Sequence, residues 1–225
     1  MRVVVLTGAG MSAESGISTF RDNGGLWDRY NVEDVATPEG WARDPKLVTD
    51  FYNTRRRELL NTKPCLGHEL VAKLEEHHAV TVVTQNVDDL HERAGSKRVL
   101  HMHGDLMKLR CMNHPDHEFM FKGDETLETK CPFCGAGTRP DIVFFEEVPL
   151  YMEMIQDALR DCDEFVYIGT SSVVYPAAGF KNFAKRFGAK VTCLNLEIPA
   201  HDPDTDVFVQ GKATEIVPKW CEEFV

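Results

Sequence analysis

None of the apolar runs in this 225-residue chain approaches the roughly 18 consecutive hydrophobic residues of a membrane span. Positive charge is also scarce. Lys and Arg number 25 against 36 Asp and Glu, a formal net charge of −11. That leaves no basic face for a phosphate backbone and excludes nucleic acid as the main partner. The acidity is assigned to solubility, and a monomer is expected. No disulfide framework is expected either, because the seven cysteines are an odd number. The first strand-like residues begin at Arg2, with no room before them for an export signal. These absences point to a cytoplasmic chain whose thiols are reduced or hold a metal. Low-complexity tracts and internal repeats are missing too.

What remains is the composition of an ordinary folded domain, 43% hydrophobic and 27% charged. Strand-like runs recur at Val3–Thr7, Ala79–Thr84, Glu164–Gly169, Lys190–Leu194 and, weakly, Asp206–Val209. Helical patterns cover Asp44–Leu60, Gly67–His77, Pro149–Asp161, Ala177–Phe187 and Glu215–Phe224. Strands alternating with helices predict an α/β fold, a doubly wound, Rossmann-like parallel sheet covered on both faces. Two segments break the alternation. Residues 22–66 are too long for a crossover, and residues 105–140 lack apolar periodicity while holding Cys111, Cys131 and Cys134. Both are read as insertions forming a smaller domain beside a large one built from about 1–21, 67–104 and 141–225. A ligand is expected in the crevice between them, at the carboxyl ends of the strands.

The stretch Gly8-Ala9-Gly10-Met11-Ser12-Ala13 fits G-x-G-x-x-G/A, the turn that lets backbone amides approach a pyrophosphate. In a dehydrogenase the following helix runs on to a second strand, with an acidic residue about 20 positions later. Here Gly16 and the polar stretch from Ser18 to Gly25 end the helix almost at once, so a long loop follows the glycines. After the second strand come Thr84-Gln85-Asn86-Val87-Asp88, polar groups where parallel-sheet proteins place catalytic residues. Asp88 is equally well placed to cap a helix. His103, followed by Gly104 after a short apolar pair, is a candidate general base.

Together these pieces resemble the sirtuins, the NAD-dependent protein lysine deacylases. The matching residues run in the family's order over essentially the whole chain: Gly8 to Ile17 with Phe20-Arg21, then Thr84 to Asp88, then His103-Gly104, Arg139-Pro140, Gly169-Thr170-Ser171 and Asn195-Leu196-Glu197. The resemblance implies that Gly8, Ala9, Gly10, Met11, Ser12, Ala13, Glu14, Ser15, Gly16, Ile17, Ser18, Thr19, Phe20 and Arg21, with Trp27, close over NAD. It makes His103 the base on a ribose hydroxyl, Asn86 the residue that positions ribose and water, and Gln85, Val87 and Asp88 the support of the ribose and nicotinamide. Gly169, Thr170, Ser171, Asn195, Leu196 and Glu197 would hold the phosphates and adenosine, with Ala213 near the adenine. The chemistry implied is attack of the acyl-lysine oxygen on the ribose with loss of nicotinamide, so the partners are acyl-lysine proteins. Related uses of the same pieces are protein mono-ADP-ribosylation and non-catalytic NAD or acyl-lysine sensing.

Three departures from the family stand out. Ser18 replaces a proline of the loop. Glu146 stands where a glycine is usual, in the segment with Val143 and Phe145 that would pair with a substrate peptide. The third concerns the metal module, normally two Cys-x-x-Cys pairs. The second pair is intact as Cys131 and Cys134, but the first reads Cys111-Met112-Asn113-His114. A structural Cys₃His zinc site from Cys111, His114, Cys131 and Cys134 is expected, with His117 as the other possible fourth ligand and a decayed, metal-free loop as the alternative. Finally, Tyr52 and Arg55 lie three apart on a helix face. This Tyr-x-x-Arg resembles the sirtuin class that removes succinyl, malonyl and glutaryl groups, where the pair binds the distal carboxylate and a small residue, here Gly40, widens the pocket. Arg56 and Arg57 are read as solvated helix surface.

Overall fold

The computed structural model describes residues 1–18, 30–197 and 202–224. Six strands form a parallel sheet: β1 (Arg2–Thr7), β2 (Ala79–Thr84), β3 (Val99–His101), β7 (Glu164–Ile168), β8 (Lys190–Asn195) and β9 (Val207–Gln210). Their order is β3-β2-β1-β7-β8-β9, the doubly wound arrangement. In β1, Val3 and Val5 face one side and Val4 and Leu6 the other, and all four are buried. Burial on both faces is why the strand reads as an unbroken apolar run. Each such side chain contributes about 1.5–3 kcal/mol.

Helices α5 (Leu66–Lys73) and α9 (Ala213–Glu222) cover one face through Val71, Ile216, Val217 and Trp220. Helices α7 (Met152–Asp161) and α8 (Phe180–Arg186) cover the other through Ile155, Leu159, Phe180 and Ala184. The first helix, α1 (Ala9–Ala13), is short, and Gly16 follows at φ +89°. A second sheet is antiparallel, in the order β5-β4-β6, from β4 (Gly104–Cys111), β5 (Glu118–Met120) and β6 (Thr138–Ile142). The long helix α4 (Pro45–Leu60) packs on it, preceded by the short α2 (Val32–Val35) and α3 (Pro38–Arg43). α4 begins with Asp44 accepting from the Leu47 amide and Pro45 in its first turn. The remaining helix, α6 (Leu90–Ala94), follows β2 and ends at Gly95, φ +108°. A third apolar cluster joins α4 to the second sheet through Phe51, Tyr52, Leu59, Leu106 and Phe144. The expected segments 22–66 and 105–140 therefore hold short helices and an antiparallel sheet that period alone did not disclose.

Candidate active site

The strand order reverses between β1 and β7, and the loops after these two strands meet there. The Gly8 amide donates to the Ile168 carbonyl at 3.0 Å, and the Gly10 amide to the Gly169 carbonyl at 2.8 Å. A Cβ on Gly8 would lie 2.7 Å from the Gly169 oxygen, and one on Gly169, at φ +59°, 2.5 Å from the Met11 nitrogen. The glycine pattern is thus needed first for this loop-to-loop approach. The amides of Gly8 and Gly10 are taken up internally and do not wait for a phosphate. Ser15 Oγ is buried without a hydrogen-bond partner among the described residues.

The floor is a directional polar network. Asn86 Nδ2 donates to the Gly8 carbonyl and to Ser12 Oγ, each at 3.0 Å, and Ser12 Oγ donates to Asp88 Oδ2 at 2.9 Å. Asp88 Oδ1 accepts from the Leu90 amide at 3.2 Å. Asp88 thus steadies the start of α6, where Asp89 is the capping position, and also lines the cavity. Burial raises its pKa, against the lowering effect of the Ser12 and Leu90 hydrogen bonds. Thr170 Oγ1 donates to Gln85 Oε1 at 2.7 Å, and Asn195 Nδ2 to the Thr170 carbonyl at 2.8 Å, linking β2, β7 and β8 behind the crevice. Leu196 is exposed.

His103 ends the turn after β3 with Nδ1 3.0 Å from the Gln85 carbonyl oxygen. A carbonyl only accepts, so Nδ1 carries the proton and the neutral ring keeps its lone pair on Nε2. Burial lowers the His103 pKa, partly opposed by that same carbonyl. The ring is thus held neutral in the tautomer a base requires.

A cavity of about 450 Å³ opens from this floor. Ser12, Asn86, Val87 and Asp88 line one side, Ile17 and Ser18 another, and Arg55, Glu58 and Leu59 of α4 the far wall. Tyr52 is buried beside Phe51 and Phe144, and burial pushes its phenol to about 12, so it stays a donor. The Arg55 guanidinium lies 5.6 Å from the Phe51 ring centroid. Burial lowers the Arg55 pKa, opposed by Tyr52, Asp88 and Glu58. Across the crevice, Glu147 accepts from Arg139 Nη2 at 2.8 and 2.9 Å and from the Phe144 amide at 2.8 Å. The Val143 amide donates to the His103 carbonyl and the Phe145 amide to the Ala36 carbonyl, each at 2.9 Å. Exposed Glu146, the residue after Phe145, sits at φ +75°, a conformation that explains a preference for glycine there.

Two sequence expectations are corrected by this geometry. A Cβ on buried Gly40 would lie 2.6 Å from the carbonyl oxygens of Glu33 and Asp34. The glycine therefore lets α2 approach α3, and it does not border the cavity described above. Arg56 is not solvated surface: it is 1% exposed and donates to the Leu106 carbonyl and Asn53 Oδ1, both at 2.8 Å. Arg57 alone keeps the solvated role, pairing with Asp124 at 2.7 Å.

In the antiparallel sheet the ligand atoms of Cys111, His117, Cys131 and Cys134 all lie within 4.8 Å of one another. Cys111 Sγ and Cys134 Sγ are 3.5 Å apart, and Cys131 Sγ and His117 Nδ1 3.7 Å. Tetrahedral zinc with bonds of about 2.3 Å needs ligand separations of about 3.8 Å, so this soft donor set fits zinc. Four protein ligands leave no open position, which makes the site structural. The fourth member is His117 and not His114. β4 pairs with β5 so that Arg110 faces Glu118, and the Cys111 amide donates to the His117 carbonyl at 2.9 Å. His114 lies exposed in the intervening turn.

A profile of the Sir2 family matches residues 8–176. An NAD-dependent protein deacylase of Pasteurella multocida is 50% identical over all of this chain and 98% of its own length. One from Caulobacter vibrioides is 48% identical, covering 100% and 97%. This chain belongs to the Sir2 family. Among solved structures, a Sir2 homologue in complex with NAD superposes with a TM-score of 0.89 at 36% identity, covering 99% of this chain and 88% of the other. A Sir2 holding a deacetylated peptide and 3'-O-acetyl ADP-ribose superposes at 0.83 with 31% identity, covering 98% and 92%. NAD is accordingly the co-substrate of this Sir2 enzyme.

Of the expected NAD contacts, Thr19, Phe20, Arg21 and Trp27 lie outside the described residues. Glu14 is placed as a tie: its Oε2 accepts from the Thr214 amide at 2.6 Å, beside Ala213 at the start of α9. Several participants escaped the sequence reading. His91 Nε2 lies 3.1 Å from Thr7 Oγ1, which donates to Thr84 Oγ1, and that oxygen accepts from the Asn86 amide. His68, ring to ring with His91 at 4.7 Å, stands behind Ser12. Burial lowers the pKa of both, that of His68 to about 4. No short motif marks such residues, because their partners arrive from other strands.

Proposed function

We propose that this Sir2 enzyme is an NAD-dependent protein lysine deacylase that accepts succinyl and malonyl chains at least as well as acetyl, releasing nicotinamide and O-acyl-ADP-ribose. The observation that carries the reading is Arg55 on the wall of the cavity floored by Asn86 and Asp88, with the protonated Tyr52 one turn earlier on α4. A guanidinium there offers a planar fork of donors to a carboxylate at the end of an acyl chain. The deacylase names of the relatives support the core activity.

NAD, when bound, supplies the nicotinamide–ribose bond that is broken. The chain's own part is to bind, orient and move one proton. His103 takes a proton from a ribose hydroxyl on Nε2, the atom its Gln85 bond leaves as acceptor. Asn86, its amide anchored on Gly8 and Ser12, presents its remaining oxygen to the ribose and the water. A substrate peptide would add as a strand along the segment of Val143 and Phe145, whose own amides are already taken up by His103 and Ala36. A base of this kind contributes about 10²–10⁴-fold, and orientation supplies much of the rest. The zinc cluster holds the antiparallel sheet on which α4 rests and takes no part in the reaction.

The test is a panel of acetyl-, succinyl-, malonyl- and glutaryl-lysine peptides assayed for NAD-dependent nicotinamide release, with mass spectrometry of the products. O-acyl-ADP-ribose from the acidic peptides at rates at or above that from acetyl-lysine is expected. ADP-ribose left on the protein, or release from acetyl-lysine alone, overturns the reading.

A further inference from the structure

Beside Arg55, α4 carries a second charged group into the same cavity. Arg55 and Glu58 are three residues apart on the helix, so they share a face, and both line the cavity wall. Asp88 lines it from the floor. Arg55 is thus flanked by a carboxylate on each side, and both act on its charge. The two are not equivalent. Asp88 is buried and fixed by Ser12 and the Leu90 amide, whereas Glu58 is exposed at the rim, next to the neutral Asn61 and Thr62.

From this placement we infer that Glu58 is a specificity-determining residue, a negative charge beside Arg55 that an acidic acyl chain has to displace or tolerate. The inference rests on the acyl-carboxylate reading above. An arriving carboxylate adds a further negative charge to those of Asp88 and Glu58, both of which act on Arg55. Glu58 is exposed and partly screened, and its repulsion of a second carboxylate is expected to cost roughly tenfold in affinity. An acetyl chain has no such charge and is indifferent to Glu58. The wild-type residue therefore holds the enzyme closer to dual use of neutral and acidic acyl groups than Arg55 alone dictates.

The experiment compares wild type, Glu58→Gln and Glu58→Asp on acetyl- and succinyl-lysine peptides. Glu58→Gln is expected to raise the succinyl-to-acetyl ratio of kcat/KM roughly tenfold, through KM for the succinyl peptide. Glu58→Asp, which keeps the charge, is expected to stay within about threefold of wild type. An unchanged or lower ratio in Glu58→Gln overturns the inference, as does an equal rise in Glu58→Asp, which would make the effect one of size. The two readings fail separately. If Arg55→Met destroys succinyl turnover while Glu58→Gln leaves the ratio alone, only the role of Glu58 falls. If wild type ignores succinyl-lysine and Glu58→Gln gains it, the wild-type preference falls and the role of Glu58 stands. If neither enzyme uses it, both fall.

Discussion

The two sides of the cavity are built by different means. On the nucleotide side the main chain makes the site: the loops after β1 and β7 interlock through backbone hydrogen bonds so closely that a single methyl group has no room. On the acyl side the site is a row of side chains on α4, whose backbone is held elsewhere by Arg56 and Asn53. Where backbone forms the wall, any change is a change of fold. Where side chains on a secured helix form it, chemistry can vary at little structural cost. On the proposed reading, the difference separates what every substrate needs from what acidic acyl chains need.

The largest expected effect breaks the common side. His103→Ala should lower deacylation of every acyl peptide by about 10²–10⁴-fold, while NAD binding by calorimetry stays within a few fold, because the loops that hold the nucleotide are untouched. Appreciable turnover would place the base elsewhere. His101, bonded to Glu92 at 2.7 Å, is the first suspect.

Next in size are the substitutions that should break one side only. Arg55→Met should lower kcat/KM for succinyl-lysine by about 10²-fold, since a charge-assisted contact contributes about 1.5–3 kcal/mol and its loss leaves a carboxylate without a partner. Tyr52→Phe, losing one neutral donor, should cost about tenfold. Acetyl-lysine should barely register either change. Equal losses on both peptides would mean that Arg55 only steadies the helix, and the contrast between the sides would dissolve.

The metal module tests the support beneath the acyl side. Protein purified without chelators should contain one zinc per chain by metal analysis. His117→Ala should lose it and His114→Ala should keep it. The reverse outcome would restore the Cys-x-x-His spacing as the ligand pair.

The smallest effect sharpens the nucleotide side. His68 has its folded pKa lowered to about 4 from an ordinary 6.5. The unfolded chain therefore binds the extra proton first as pH falls, so stability is full above pH 6.5 and declines toward pH 4. About 2–3 kcal/mol is at stake for His68 alone by pH 4.5. Urea unfolding at pH 7 and 4.5, with His68→Gln as the comparison, reads it. A loss as large in His68→Gln would assign the acid sensitivity to other groups.

How much of this was legible in the chain depended on whether a feature is local. The parallel strands were, because burial on both faces leaves an apolar run such as Val3 to Leu6. That Asn86 and Asp88 border the crevice could be read because the loops after parallel strands gather there in this architecture. The antiparallel strands could not, since β4 takes its meaning from partners eight or more residues away. Nor could the reason for Gly40, which is two carbonyl oxygens of α2. Arg56 looked solvated beside Arg55 and Arg57 because nothing in a charge run announces that the carbonyls of Leu106 and Gly123 wait for it. His114 was preferred over His117 by counting along the chain, whereas a hairpin register selects the residue opposite Cys111.

The bond between Glu14 and the Thr214 amide spans 200 residues. β1, near the start of the sequence, likewise waits for β7, 161 positions later in register. On a ribosome, which adds about 5–20 residues per second, the glycine loop therefore emerges well before the segments that complete it. For about eight seconds or more of synthesis it lacks its neighbouring loop, and for about ten or more its tie to α9.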